Sequence, residues 1–190
     1  IRFYEKLVEY SKKICPEKHS ELTLRLADLN LIDGNNNQAI TYYEKLLDLD
    51  IKDQEILSRI HFGIGKAYLT IGKHNEAVSN LERAIDVIKD KDSHICVEIA
   101  NRLAYSMLYA GKTTEAAAIL DESLIKSKAA QDFALQAETQ YYQATLEWFR
   151  NDFGKATEIA LELLGFCKQH KLYKQHAFCA NLLSSLFLQN

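Results

Sequence analysis

Apolar residues recur at helical spacing along almost the whole chain, and short polar breaks interrupt them on a fixed period. In one segment Ala77, Leu81, Ala84, Ile85 and Ile88 fall at i, i+4, i+7, i+8 and i+11, which places them on one stripe of a helix. The breaks read DGNNNQA (33–39), IGKHNEA (71–77), AGKTTEA (110–116) and RNDFGKA (150–156). Their closing alanines Ala39, Ala77, Ala116 and Ala156 stand 38, 39 and 40 residues apart. A second pattern has the same period: IRFYEKLVEY at 1–10 returns as ITYYEKLLDL at 40–49, 39 residues on. Self-similarity at a fixed period of this size is the signature of stacked structural repeats.

Each break has a physical reading. Gly34, Gly72, Gly111 and Asn151 stand where one helix must end, and a left-handed residue that closes a helix is usually Gly, with Asn as the common substitute. The alanine that follows sits early on the next helix, where a small side chain lets two antiparallel helices approach closely. Upstream lie first helices over 21–32, 59–71, 98–110 and 137–149, each with a small residue seven positions before the turn: Ala27, Gly65, Ala104 and Ala144. Gly65 inside a helix costs about 1 kcal/mol against Ala, so a close contact is expected to require it. Downstream lie the second helices. Residues 1–14 read as a second helix without a partner, with Pro16 in the loop after it. Residues 176–190 read as a first helix without a partner, with Ala180, Leu183, Ser184 and Phe187 at its contact positions.

The expected architecture is therefore an all-α solenoid of antiparallel helix pairs, about ten helices in one domain over 1–190. The repeats run over about 20–57, 58–96, 97–136 and 137–175. The chain begins without Met and on a second helix, which makes a piece of a longer protein the expectation.

Composition supports the helical reading: seven Gly and one Pro are few, and 47% hydrophobic with 26% charged residues is globular. A net charge of −3 provides no electrostatic footprint for nucleic acid. No run of 18 apolar residues predicts a membrane span, and no signal-peptide pattern is present. Four cysteines, Cys15, Cys96, Cys167 and Cys179, read as free thiols in a reducing cytoplasm.

The repeated positions resemble the tetratricopeptide repeat (TPR). That pattern places a large residue, Gly or Ala, and Tyr on the first helix, then Ala, a large residue and Ala on the second. Ile64, Gly65, Tyr68, Ala77, Leu81 and Ala84 fit it best. The first repeat supplies Leu26, Ala27, Ala39 and Tyr43, with Asn30 in place of Tyr; the third supplies Leu103, Ala104, Ala116 and Leu120, with Met107 in place of Tyr. The fourth departs furthest, with Gln143, Ala144, Glu147, Ala156 and Leu163. The period exceeds the usual 34 or so, as in the extended repeats of cell-polarity adaptors, peptide-sensing regulators and sensor arms of bacterial signalling proteins. The resemblance implies a right-handed superhelix whose first helices line the concave face, and it implies no chemistry.

That concave face is the candidate site, for a peptide or protein partner. The tentative lining is Arg59, Phe62, Lys66, Asn101, Tyr105, Tyr141, Trp148 and Asn181. Aromatic anchors supply most of the energy at interfaces, and Asn can both donate to and accept from a peptide backbone. A carboxylate clamp would need Lys and Asn together on one first helix; Leu24 with Asp28, or Phe62 with Lys66, does not supply them. Arg59, Lys66 and Arg102 could meet an acidic ligand. Within Tyr141-Tyr142 and Trp148-Phe149, one ring of each pair is expected in the core and the other exposed. Cys167, His170, His176 and Cys179 are the one cluster of metal-ligand types, but their spacing matches no zinc pattern, so neither metal nor cofactor is expected. No nucleophile, phosphate loop or carboxylate pair stands out, which argues against an enzyme. The expected function is a non-enzymatic interaction scaffold. The alternatives are the regulatory sensor arm of a larger signalling or transcription protein, and self-association through apolar faces of the terminal helices, such as Phe3, Leu7, Leu183 and Phe187.

Overall fold

The four helix-ending residues adopt the conformation their breaks require: φ is 81° at Gly34, 76° at Gly72, 78° at Gly111 and 61° at Asn151. These values come from a computed structural model, which describes residues 1–49, 51–88 and 93–188. Ten helices and no strands are found among the described residues, in two compact units, Ile1–Lys89 and Asp90–Asn190. The N-terminal unit holds α1 (Arg2–Ile14), α2 (Pro16–Ile32), α3 (Asn36–Leu47), α4 (Gln54–Thr70) and α5 (His74–Asp86). The C-terminal unit holds α6 (His94–Tyr109), α7 (Thr113–Ala129), α8 (Phe133–Phe149), α9 (Phe153–Gln169) and α10 (Tyr173–Phe187).

At each of the four turns the N–H just past the left-handed residue reaches five residues back: Asn35 to the Asn30 carbonyl, Lys73 to Tyr68, Lys112 to Met107 and Asp152 to Glu147, at 2.8–3.0 Å. This closure satisfies carbonyls that the helix end would leave bare. Two further left-handed residues, Gln131 (φ 54°) and Lys171 (φ 57°), carry no Gly or Asn signal, yet close α7 and α9 with the same bonds, from Asp132 to Ser127 and from Leu172 to Cys167. Left-handed residues therefore stand at 111, 131, 151 and 171, and α7, α8 and α9 have 17 residues each. In the N-terminal unit the second helices α3 and α5 have only 12 and 13 residues. The long pair period thus has two origins: more residues between α3 and α4 and between α5 and α6, and longer second helices in the C-terminal unit.

First helices begin three or four residues upstream of the repeat boundaries read from the sequence. The reason lies in the caps. Asp53 accepts from the N–H groups of Glu55 and Ile56, Ser93 from Cys96 and Asp132 from Leu135, and a capped start stabilises a helix turn by about 1 kcal/mol. Pro16 is likewise the first residue of α2, not a loop residue; a missing N–H costs nothing at that position.

Within each unit the first helices touch one another as well as their partners: α2 meets α4, α6 meets α8, and α8 meets α10. Among the described residues no contact joins α3 with α5 or α7 with α9. The first helices thus form a closer layer and the second helices a more widely spread one. The layers meet on the predicted small residues: Ala27, Ala39, Ala77, Ala104, Ala116, Ala144 and Ala156 are all 0% exposed. A Cβ at Gly65 would lie 2.7 Å from Leu81 Cγ of α5, so the expected close contact is present. Gly63, two residues earlier and on the opposite side of α4, is packed as tightly against α3: a Cβ there would lie 2.3 Å from the buried Tyr43 ring.

The last helix departs from expectation. Its buried face is Cys179, Leu182, Leu183 and Leu186, whereas Ser184 is exposed and Phe187 is 63% exposed. Ser184 stands 40 residues after Ala144, whose counterpart role is to meet a following second helix. No described helix covers that side of α10. Leu183, expected on an exposed apolar face, is part of the core with Ala160, Leu163 and Cys167.

Two glycine substitutions separate the two roles of this residue type. Gly63→Ala is expected to lose about 1–3 kcal/mol by driving a methyl into the Tyr43 ring. Gly72→Val is expected to lose about 1–2 kcal/mol from backbone strain alone, since a Cβ there meets nothing within 4 Å. Urea denaturation measures both, and an unchanged midpoint in either variant would remove the corresponding contact or conformation.

Candidate functional site

In the C-terminal unit the first-helix layer brings α6, α8 and α10 side by side, and their facing side chains form a seam. At its centre Asn101 Nδ2 donates to Thr139 Oγ1 at 3.0 Å; the single Thr139 hydroxyl proton is shared between Asn101 Oδ1 and the Leu135 carbonyl. Both side chains are 0% exposed. Beside it, Arg102 pairs with Glu138 at 3.0 Å, and Glu138 also accepts from the Tyr142 hydroxyl at 3.2 Å. Next, the rings of Tyr105 and Tyr142 meet at 5.1 Å.

Beyond this seam, toward the C-terminal ends of α6 and α8, a pocket of about 390 Å³ opens. Its walls are Tyr105 and Tyr109 from α6, Tyr141, Thr145, Trp148 and Phe149 from α8, Asn151 from the turn, and Leu182 from α10. Spacings of three, four and seven residues on one helix bring these side chains to one face. The rings brace one another edge to face: Tyr105 on Tyr109 at 5.0 Å and Tyr109 on Phe149 at 4.9 Å. The Tyr105 hydroxyl donates to that of Tyr109 at 3.2 Å. Burial holds the Tyr105 and Tyr141 hydroxyls above the ordinary phenol range, so both stay neutral around pH 7. No charged side chain lines the pocket.

The structure brings together three of the eight residues singled out from the sequence: Tyr105, Tyr141 and Trp148. Asn101 is displaced from a ligand-facing role, because its amide is engaged inside the seam. Asn181 is exposed on α10 but does not line the pocket, where its neighbour Leu182 does. Tyr142 is in the core and Tyr141 faces the pocket, whereas Trp148 and Phe149 both reach it. Tyr109, Phe149, Asn151 and Leu182 were not singled out. Tyr109 and Phe149 each end a helix, where the chain turns away and uncovers a ring that would be buried mid-helix.

Arg59, Phe62 and Lys66 belong to the N-terminal unit. Arg59 forms an ion pair with Asp28, which also accepts from the buried Tyr43 hydroxyl at 2.6 Å. Phe62 is only 5% exposed, and the Lys66 ammonium lies 4.4 Å from the centre of its ring. The three cations read as available to an acidic ligand, Arg59, Lys66 and Arg102, are thus already engaged. Of the cysteine–histidine cluster, Cys167 and Cys179 are buried thiols, and burial with the nearby Cys167 pushes Cys179 up to about 11. The Cys179 thiol points to the Ala160 carbonyl, and His170 stacks on Phe133 at 4.0 Å.

Antiparallel pairs with a close first-helix layer define a helical-repeat protein. More specifically, the sequence profile of the tetratricopeptide repeat family matches residues 19–90, and likeness of fold to TPR-like repeat structures extends over nearly the whole chain. A single-residue variant of a Podosopora anserina kinesin-light-chain protein with nearly identical TPR-like repeats is 17% identical with a TM-score of 0.75, covering 90% of this chain and 86% of that one. The Pyrococcus horikoshii signal-transduction ATPase with a tetratricopeptide repeat sensor is 16% identical with a TM-score of 0.78; the match covers 96% of this chain but only 29% of the ATPase. A Rap protein complexed with competence and sporulation factor is 12% identical with a TM-score of 0.64, covering 99% of this chain and 58% of that one. At these identities the likeness is one of fold. Among the described residues no helix is long and apolar enough to cross a membrane.

Replacing Asn101 by Ala is expected to cost about 1–3 kcal/mol, the range for stripping a buried hydrogen-bond partner. Chemical denaturation reads this directly, and a neutral result would show that the amide does not tie α6 to α8.

Proposed function

We propose that this chain is a non-enzymatic interaction scaffold that holds a peptide segment or partner surface against the first-helix face of its C-terminal unit. The observation that carries this reading is the aromatic pocket. It is concave and uncharged, and three neighbouring first helices build it, as a site for an anchoring side chain requires. The seam below it is tied across α6 and α8 by the Asn101–Thr139 bond, the Arg102–Glu138 pair and the Tyr105–Tyr142 rings, which supports the pocket walls. Tetratricopeptide repeats over residues 19–90 support the same reading. None of the four cysteines is in a disulfide and the chain carries a net charge of −3, which suits a cytoplasmic partner that is protein and not nucleic acid. The sensor of the signal-transduction ATPase shows that this fold also serves within larger regulatory proteins, and a place in such a protein is compatible with the same site.

The test is affinity capture with the wild-type chain and with a Tyr109→Ala, Phe149→Ala double variant. These rings are 47% and 37% exposed, so their removal spares the core. A specific partner that the wild type retains and the double variant loses, at unchanged thermal stability, supports the site. Equal retention by both would refute it.

Self-association is a second reading, favoured by apolar side chains left open on α1 and α10: Phe3 is 69% exposed, Ile14 78% and Phe187 63%. Light scattering should then give a mass above one chain that Phe3→Glu, Phe187→Glu lowers; a single-chain mass for the wild type removes this reading.

A further inference from the structure

Five of the eight residues around the pocket are aromatic and only Leu182 is aliphatic, so its walls are π faces more than hydrocarbon. We infer that the pocket receives a cationic side chain, the ammonium of a lysine or the guanidinium of an arginine, from the bound partner segment. This rests on the scaffold reading above and names the group that the site selects. Three independent features of the site favour a cation over a neutral apolar guest.

The first is the ring quadrupole. Aromatic faces are electron-rich, and Trp attracts cations most strongly. Trp148 lines the pocket while packing on its other side against the core of the C-terminal unit, and it takes part in none of the ring pairs found among the described residues. The second is position. Tyr109 and Phe149 are the last residues of α6 and α8, and a helix C-terminus carries the negative end of its dipole. Two such ends meet at this pocket. The third is the charge balance around it. The cations nearby are already paired, Arg102 with Glu138 at 3.0 Å and Arg150 with Glu147 at 3.2 Å, and no cationic side chain lines the pocket to repel a guest. At about 390 Å³ the cavity lies near the small end of the usual ligand range of about 300–1,000 Å³, which suits one long side chain and not a folded element.

The test uses three capped amino acids that differ in the head group: the N-acetyl methylamides of lysine, arginine and norleucine. Norleucine keeps the hydrocarbon and lacks the charge. Trp148 is the only tryptophan of the chain, so its fluorescence and its indole N–H resonance report on the pocket without a label. Lysine or arginine is expected to bind at least roughly tenfold more tightly than norleucine at constant ionic strength. Tyr109→Leu with Phe149→Leu should reduce that preference while leaving an apolar pocket, since two of the five rings are lost. Equal or tighter binding of norleucine, or no response to any probe, would overturn the cation. The two readings fail separately. If a captured partner needs the pocket but still binds after its lysines and arginines become norleucine, the cation is wrong and the scaffold stands. If the cationic probes bind selectively yet no partner depends on this face, the scaffold is wrong and the cation site stands.

Discussion

The closeness with which neighbouring helices approach governs everything else in this chain. Wherever a second helix crosses its first helix the contact is made on Ala or Gly, and those residues are wholly buried. α4 shows the constraint at its tightest, with Gly63 against the Tyr43 ring on one side and Gly65 against Leu81 on the other. A helix held between two neighbours at that distance admits no side chain at either position, because any Cβ there would collide. The cost in helix propensity, about 1 kcal/mol per glycine, is offset by the packing it permits.

The close first-helix layer follows from this contact, and the site follows from the layer. With α6 against α8 and α8 against α10, their facing side chains must either pack or open a cavity. Over the length of the seam they pack, through the Asn101–Thr139 bond, the Arg102–Glu138 pair and the Tyr105–Tyr142 rings. At the ends of α6 and α8 the chain turns away, and large rings that would fill a mid-helix gap line an opening instead.

What the sequence reveals and what it conceals divide along the same physical line. Turns that need glycine are legible because few residues tolerate a left-handed backbone, so Gly34, Gly72 and Gly111 announce themselves. Gln131 and Lys171 adopt the same conformation without announcing it, since the turn's hydrogen bonds outweigh a modest strain. Contact alanines are legible through their period. The role of Gly63 is not, because it depends on which ring of α3 happens to face it. At the site, Tyr105, Tyr141 and Trp148 could be placed by the first-helix positions that the family resemblance assigns to the concave face. Tyr109 and Phe149 could not, because exposure there is decided by where each helix stops, and Asn101 was misplaced because its partner Thr139 lies 38 residues away.

The left-handed residues of the C-terminal unit, at 111, 131, 151 and 171, give it a clock that ticks once per helix and not once per pair. The turns at the two ends of a helix then share one backbone conformation, so that conformation carries no information on whether a strut belongs to the close layer or to the spread one. That parity is written in the side-chain faces and in the residue at each turn, Gly or Asn after a first helix and Gln or Lys after a second. A deletion of one tick would leave every turn well formed while exchanging inner for outer helices downstream, and the pocket's aromatic face would lose its neighbours. Only even numbers of ticks keep the molecule in frame, which explains how a unit with a simple local rhythm is held to a repeat twice as long.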